Sequence, residues 1–176
     1  MDAREAILTR RSIRSFTDEP IDNETITKLL EAAMSAPSAC NQQPWSFVVV
    51  RDRTKLDAIP KFQLFSRMLK QAPCAIVVCG KPKSRLISHV TDKCSRYWEQ
   101  DCAAATQNIL LAAHALGIGA VWLGAHPSEK VVEGLRSLLN VPEDVIPLAI
   151  IALGHPGEQK PPANRFDQSR IHYDQW

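Results

Sequence analysis

Within five residues near the N-terminus, Arg10, Arg11 and Arg14 set three guanidinium groups around the Ser12 hydroxyl. A guanidinium is a planar fork of donors that matches phosphate oxygens two at a time, so the cluster suits a phosphorylated ligand. A solvated basic helix terminus would also place cations here, because the helix dipole is negative at that end. A second group, Pro37-Ser38-Ala39-Cys40-Asn41-Gln42-Gln43-Pro44-Trp45, packs amides and small polar residues between prolines. Amides with donor and acceptor side by side can read the edge of a heteroaromatic ring, and flanking prolines lower the entropy lost on binding. The same residues could instead end a helix in a turn that satisfies its own backbone. The third group is Trp122-Leu123-Gly124, at the end of Gly117-Ile118-Gly119-Ala120-Val121. Its GxG follows a helix and opens a strand, the reverse of a dinucleotide fingerprint. What it offers is a strand ending in Gly124, where backbone can approach a flat ligand closely.

Other chemistries find no support. His89, His114, His126, His155 and His172 stand in unrelated contexts without HExxH or paired Cys/His spacing, so no metal site is expected. His126 alone follows the candidate ligand strand. No GxSxG or phosphate-binding P-loop occurs. Reactivity must then come from a bound cofactor. The five cysteines, Cys40, Cys74, Cys79, Cys94 and Cys102, are odd in number, lack CxxC spacing and fall on segments that read as buried strand or helix. They suit a reducing, cytoplasmic setting.

These groups need elements to position them. The periodicity predicts a short helix over 2–10 that delivers the arginines, and a second from an Asp22 N-cap to about Ser35, with Ile21 and Ile26 as a hydrophobic staple and Pro37 beyond its end. Residues 46–51 and 74–79 read as buried strands, 54–70 as mostly helical with a break near Pro60, and 81–98 as a loop or marginal helix. The helix from Glu99 to Leu116 is apolar nearly all round and must be covered on most sides, which suggests a partner subunit upon it. Residues 120–124 and 147–153 read as strands and 128–139 as an amphipathic helix. The tail is rich in proline and polar residues but ends in Ile171, Tyr173 and Trp176, anchors for a tail laid along a surface.

A chain of 176 residues fits one domain that buries about 70% of its unfolded surface. A net charge of +2, from 21 basic and 19 acidic residues, supports neither a nucleic-acid nor a membrane-surface partner. No apolar run reaches the roughly 18 residues of a membrane span, and Met1–Glu5 leads into no signal-peptide core. The alternation of strands and helices by itself suggests an α/β unit with a parallel sheet.

Five segments, in this order and spacing, closely resemble the nitroreductase family of flavoproteins: RRSIRSF, APSACNQQPW, QNILLAAHALGIGAVWLG, PLAIIALGHP and RFDQSRIHYDQW. The resemblance implies an α+β sandwich around a mainly antiparallel sheet flanked by helices, in place of the parallel one. It implies a single domain over 1–176 whose residues 155–176 extend onto the partner of a homodimer, with FMN at the subunit interface. Arg10, Arg11 and Ser12 resemble residues that hold the FMN phosphate and ribityl chain, Arg14 the cation facing the flavin pyrimidine, and Arg165 a second phosphate contact. Pro37, Ser38, Ala39 and Asn41 resemble the loop that the other subunit lends to the ring, and Trp122, Leu123 and Gly124 the strand end beside it. The implied activity is a two-step reduction. NADH or NADPH delivers hydride to flavin N5 and leaves, and a small acceptor such as a nitroaromatic or quinone replaces it, with no side chain required as acid or base. Dehalogenation, consumption of the flavin itself and flavin binding without turnover are alternatives on the same fold. Residues 81–98, where substrate-covering segments vary, carry no family signature.

Overall fold

The structure, a computed structural model, describes residues 1–82 and 94–176. Most of the 81–98 segment and His89 lie outside the described residues. Helix α1 (Ala3–Thr9) starts where the Asp2 carboxylate accepts the Glu5 N–H at 2.8 Å, and α2 (Asn23–Met34) where Asp22 accepts that of Thr25 at 2.6 Å. Ile21 and Ile26 are both buried, as a staple requires. There follow β1 (Trp45–Val50), α3 (Arg53–Ala58), β2 (Cys74–Gly80), α4 (Trp98–Ala115), β3 (Gly119–Gly124), α5 (Glu129–Leu139) and β4 (Ile146–Gly154). Gly117, at φ +77°, turns the chain out of α4, a conformation that costs a residue without Cβ little.

The strands form one antiparallel sheet in the order β1-β2-β4-β3, so the parallel sheet suggested by the alternation alone is corrected and the α+β sandwich stands. The connections through α3 and α5 return the chain to the end of the sheet it left, whereas α4 crosses from β2 to β3, which run parallel to each other with β4 inserted antiparallel between them. The central strands β2 and β4 are apolar on both faces, and helices cover both. On one face Ile76, Val78, Ile151 and Leu153 pack with Leu29 and Ala33 of α2 and Ala105, Ile109 and Ala113 of α4. On the other, Ala75, Val77, Ile150 and Ala152 pack with Leu56 of α3, Leu69, and Val131 and Leu135 of α5.

Three expectations change. Helix α4 is covered largely by its own chain: Trp98, Cys102, Ala105, Ile109, Leu110 and Ala113 are buried, and only Glu99, Gln100, Gln107 and Ala115 are exposed. Its apolar character is therefore no evidence for a partner, because α2 and the sheet between them bury it. The 54–70 region is less helical than its composition suggests. Beyond Pro60 the Gln63 side chain takes the Phe65 N–H at 2.7 Å, so a side chain displaces helical bonding. Finally, Cys40 lies in an exposed turn, not on a buried element, and is joined to Cys94 by a disulfide. The fold brings the α2–β1 turn beside the start of α4, a proximity across 54 residues that no local spacing reveals.

Candidate functional site

Beyond α1, residues 10–17 cross the edge of the sheet and are held there by backbone. Ser12 forms a parallel bridge with Ala120, the Ile13 N–H donates to the Ala120 carbonyl at 3.0 Å, and Phe16 bridges Pro156. Two glycines permit this close approach. A Cβ on Gly119 would stand 2.9 Å from Ile13 Cγ2, and one on Gly154 would stand 2.8 Å from Phe16 Cδ1. On the outer side the Glu158 carboxylate accepts the N–H groups of Arg14 and Ser15, while Lys160 Nζ sits 3.0 Å from Glu158 and donates to the Ser12 carbonyl at 2.9 Å. The bond from the Arg14 N–H, aided by Lys160, holds the Glu158 carboxyl below its ordinary value. The beginning of the tail thus clamps the arginine segment, and neither Glu158 nor Lys160 announces that role in sequence.

The arginines separate into different tasks. Arg10 is half-buried, and its pKa is lowered first by that burial, then by the charges of Arg165 and Arg11. Among the described residues it forms no ion pair. A partly desolvated guanidinium that feels other cations and pairs with no carboxylate is an arrangement that an anion would relieve. Arg11 is held differently: its Nε and Nη1 donate to the carbonyls of Arg10, Leu8 and Pro161, tying α1 to the tail, while its buried Nη2 has no partner among the described residues. Arg14 is exposed and turns toward a cleft.

That cleft, of about 490 Å³, is lined by Arg14, Gln63 to Phe65, Arg67, Met68 and Trp122 to Gly124. A Cβ on Gly124 would meet no atom within 4 Å, so the strand end presents bare backbone to open space. Gln63, buried, donates from Nε2 to the Gly124 carbonyl at 2.8 Å and through Oε1 shapes the turn carrying the exposed Leu64 and Phe65. Gln63 and Arg67 escape sequence reasoning, since they lie in a stretch that reads as helix. Arg67 gives the cleft a second cation beside Arg14. His126 does not line it; its ring packs edge-on to Trp98, with Nε2 3.3 Å from Glu99.

The amide loop stands elsewhere. None of Pro37, Ser38, Ala39 or Asn41 lines the cleft. Instead the turn is held in unusual backbone geometry, with φ of +51° at Cys40, +53° at Asn41 and +48° at Gln43. Non-glycine residues there are strained, and strain persists only where the surroundings fix it. The Ser38 hydroxyl accepts the Gln43 N–H at 3.0 Å, Gln43 Nε2 donates to Asn41 at 3.1 Å, and Asp101 Oδ1 on α4 accepts the Ala39 N–H at 2.9 Å. Asp101 is buried, and its Oδ2 has no partner among the described residues. Burial raises its carboxyl pKa despite the opposing bond from Ala39. One chain therefore brings Arg14 and Arg67 to the strand end, while its own loop takes no part in lining that cleft.

Comparison with known proteins fits this geometry. The model of the "Nitroreductase family" matches residues 7–64 and 59–155. A Methanothermobacter thermautotrophicus protein named "Putative NADH dehydrogenase/NAD(P)H nitroreductase" is 48% identical over 176 residues, covering all of this chain and 88% of that one. Among solved structures, an "FMN-dependent Nitroreductase" from Clostridium difficile R20291 superposes with a TM-score of 0.87 at 28% identity, over 98% of this chain and 99% of that one. A "putative nitroreductase in complex with fmn" from Desulfovibrio desulfuricans gives 0.79 at 31% identity, over 100% and 99%.

Proposed function

The chain belongs to the nitroreductase family, and from that premise we propose that it is an FMN-dependent oxidoreductase that takes electrons from NAD(P)H and passes them to a small organic acceptor, such as a nitroaromatic or a quinone. The observation that carries this function is an open cleft lined by Arg14 and Arg67 and floored by bare backbone at Gly124, beside a segment whose half-buried Arg10 has no ion pair among the described residues. Those features suit the two ends of FMN, an anionic phosphate and a flat ring. When bound, FMN supplies the hydride chemistry, and the protein supplies binding, orientation and charge.

On this assignment Arg10, Arg165 and the Ser12 hydroxyl hold the phosphate and sugar chain. Arg11 serves by fixing the segment's backbone. Arg14 and Arg67 place positive charge along one side of the cleft, where it favours a ring that gains negative charge. Gln63 holds the Gly124 carbonyl turned aside, and Trp122 and Leu123 complete the wall. The loop of Pro37, Ser38, Ala39 and Asn41 completes the site from a second copy of the chain, which makes the working unit a homodimer. The tail supports this arrangement, because Phe166, Tyr173 and Trp176 are 75%, 75% and 101% exposed on their own chain and need another surface to cover them.

The test is direct. Purified protein should be yellow with the absorbance of oxidised flavin, and stopped-flow mixing with NADH or NADPH should bleach it within seconds. Colourless protein that takes up no FMN would sink the assignment, and bleaching slower than minutes would leave a flavin carrier without turnover.

A further inference from the structure

The five cysteines fall into two populations. Cys74, Cys79 and Cys102 are fully buried, and burial pushes their thiols up to about 11, 12 and 12, so at neutral pH they are protonated and shielded from reagents. Cys40 and Cys94 differ in every respect: Cys40 is exposed, Cys94 half-buried, and a disulfide joins them with Cα atoms 6.2 Å apart. The bond clasps the strained Cys40–Gln43 turn to the start of α4. It acts beside a second tie to the same helix, the Ala39 N–H on Asp101. A strained turn keeps its shape only while such ties hold.

We propose that Cys40–Cys94 is a redox clasp that sets the readiness of the amide loop to receive flavin. In the disulfide form the turn is pre-shaped, and in the dithiol form it is free to relax from its left-handed geometry. A dithiol reductant opens the clasp. One of its thiolates attacks the accessible Cys40 Sγ, Cys94 leaves as a thiolate and takes a proton from water, and the reductant's second thiol resolves the mixed disulfide. Two electrons and two protons end on Cys40 and Cys94, and the reductant becomes a disulfide. Cys40 lies between Ala39 and Asn41, so the switch is built into the binding loop itself. The inference rests on the proposed placement of that loop at the flavin.

The competing account is a staple that only stabilises the fold, as a bond closing a loop of 54 residues can. One experiment separates the two. Full-length protein is poised with oxidised or reduced dithiothreitol and alkylated without denaturant for mass spectrometry. FMN affinity is then measured by quenching of flavin fluorescence, and thermal melting is followed in parallel. The clasp predicts that Cys40 and Cys94 are labelled together, and only after reduction, while Cys74, Cys79 and Cys102 stay unlabelled throughout. It also predicts that reduction weakens FMN binding by roughly tenfold, the scale on which a loop-ordering cost shows in a dissociation constant. Cys94→Ser should bind like the reduced protein whatever the poise; should that variant misfold, the comparison within the unmodified protein stands alone. Free Cys40 and Cys94 under oxidising poise would overturn the proposal, and so would an affinity unchanged by reduction with only the melting temperature lowered. Absence of FMN binding in both states would overturn the site assignment and this inference with it, whereas binding indifferent to thiol state overturns the inference alone.

Discussion

The arginine segment and the amide loop are both short, irregular and polar, yet they are held by opposite means. Residues 10–17 lie in extended backbone bonded to the sheet edge and the tail, over two glycines that let them sit close. Residues 38–43 bend through three left-handed positions and depend on side-chain ties and a disulfide. A segment held by backbone pairing is ready before any ligand arrives, because losing one side chain leaves the rest of the ladder. A turn held against strain depends on each tie. The first therefore suits a fixed anchor, and the second an adjustable wall.

That contrast can be broken at several points. The largest effect is expected for Arg10→Ala, which should weaken FMN binding by roughly a hundredfold, the scale of a lost charge-assisted pairing to phosphate. Arg11→Ala should cost much less affinity and show mainly as a lower melting temperature, since its Nε and Nη1 donate to backbone carbonyls. Equal losses from the two in a fluorescence titration would defeat the division of labour. Gly154→Ala should follow, because its new methyl meets Phe16; about 1–3 kcal/mol of stability in denaturant unfolding is expected.

Smaller effects lie on the loop side. Asp101→Ala removes the acceptor for the Ala39 N–H and should cost about 1 kcal/mol. Asp101→Asn keeps an acceptor and removes a carboxyl whose pKa burial raises. With the folded pKa above the unfolded one, the Asp101 contribution is full at low pH and is lost as pH rises through the folded value. Asn should therefore match or exceed the parent near neutrality and lose that advantage in acid, as urea midpoints across pH would show. The smallest effect concerns His114, whose Nε2 lies 2.7 Å from Thr9 Oγ1. Burial, then Arg10 and Arg11, lower its pKa. Its share of stability is full above the unfolded pKa and is lost as pH falls through the folded one. A phosphate on Arg10 should offset part of that lowering, so FMN should move the His114 titration upward in an NMR pH series; no movement would argue against phosphate at that place.

Much of this was legible in residue order. The cap at Asp22, the staple of Ile21 and Ile26, the buried runs of β2 and β4 and the glycine after α4 are local codes that the structure realises nearly residue for residue. The arginine cluster and the WLG strand end were visible because several chemically expressive residues fall close together. Gln63, Arg67, Glu158 and Lys160 were not visible, because each acts singly on a backbone segment 61 or more residues away or across a cleft, as the bonds from Gln63 to Gly124 and from Lys160 to Ser12 illustrate.

The sequence by itself determined the class of elements, their ends and the family pattern, since caps, periodicity and turn residues act over a few positions. Tertiary structure alone decided the strand order β1-β2-β4-β3, that Arg11 binds backbone carbonyls while Arg10 forms no ion pair among the described residues, and that Cys40 meets Cys94. Each is a matter of which distant groups become neighbours, and that is set by how whole faces pack rather than by any short run of residues.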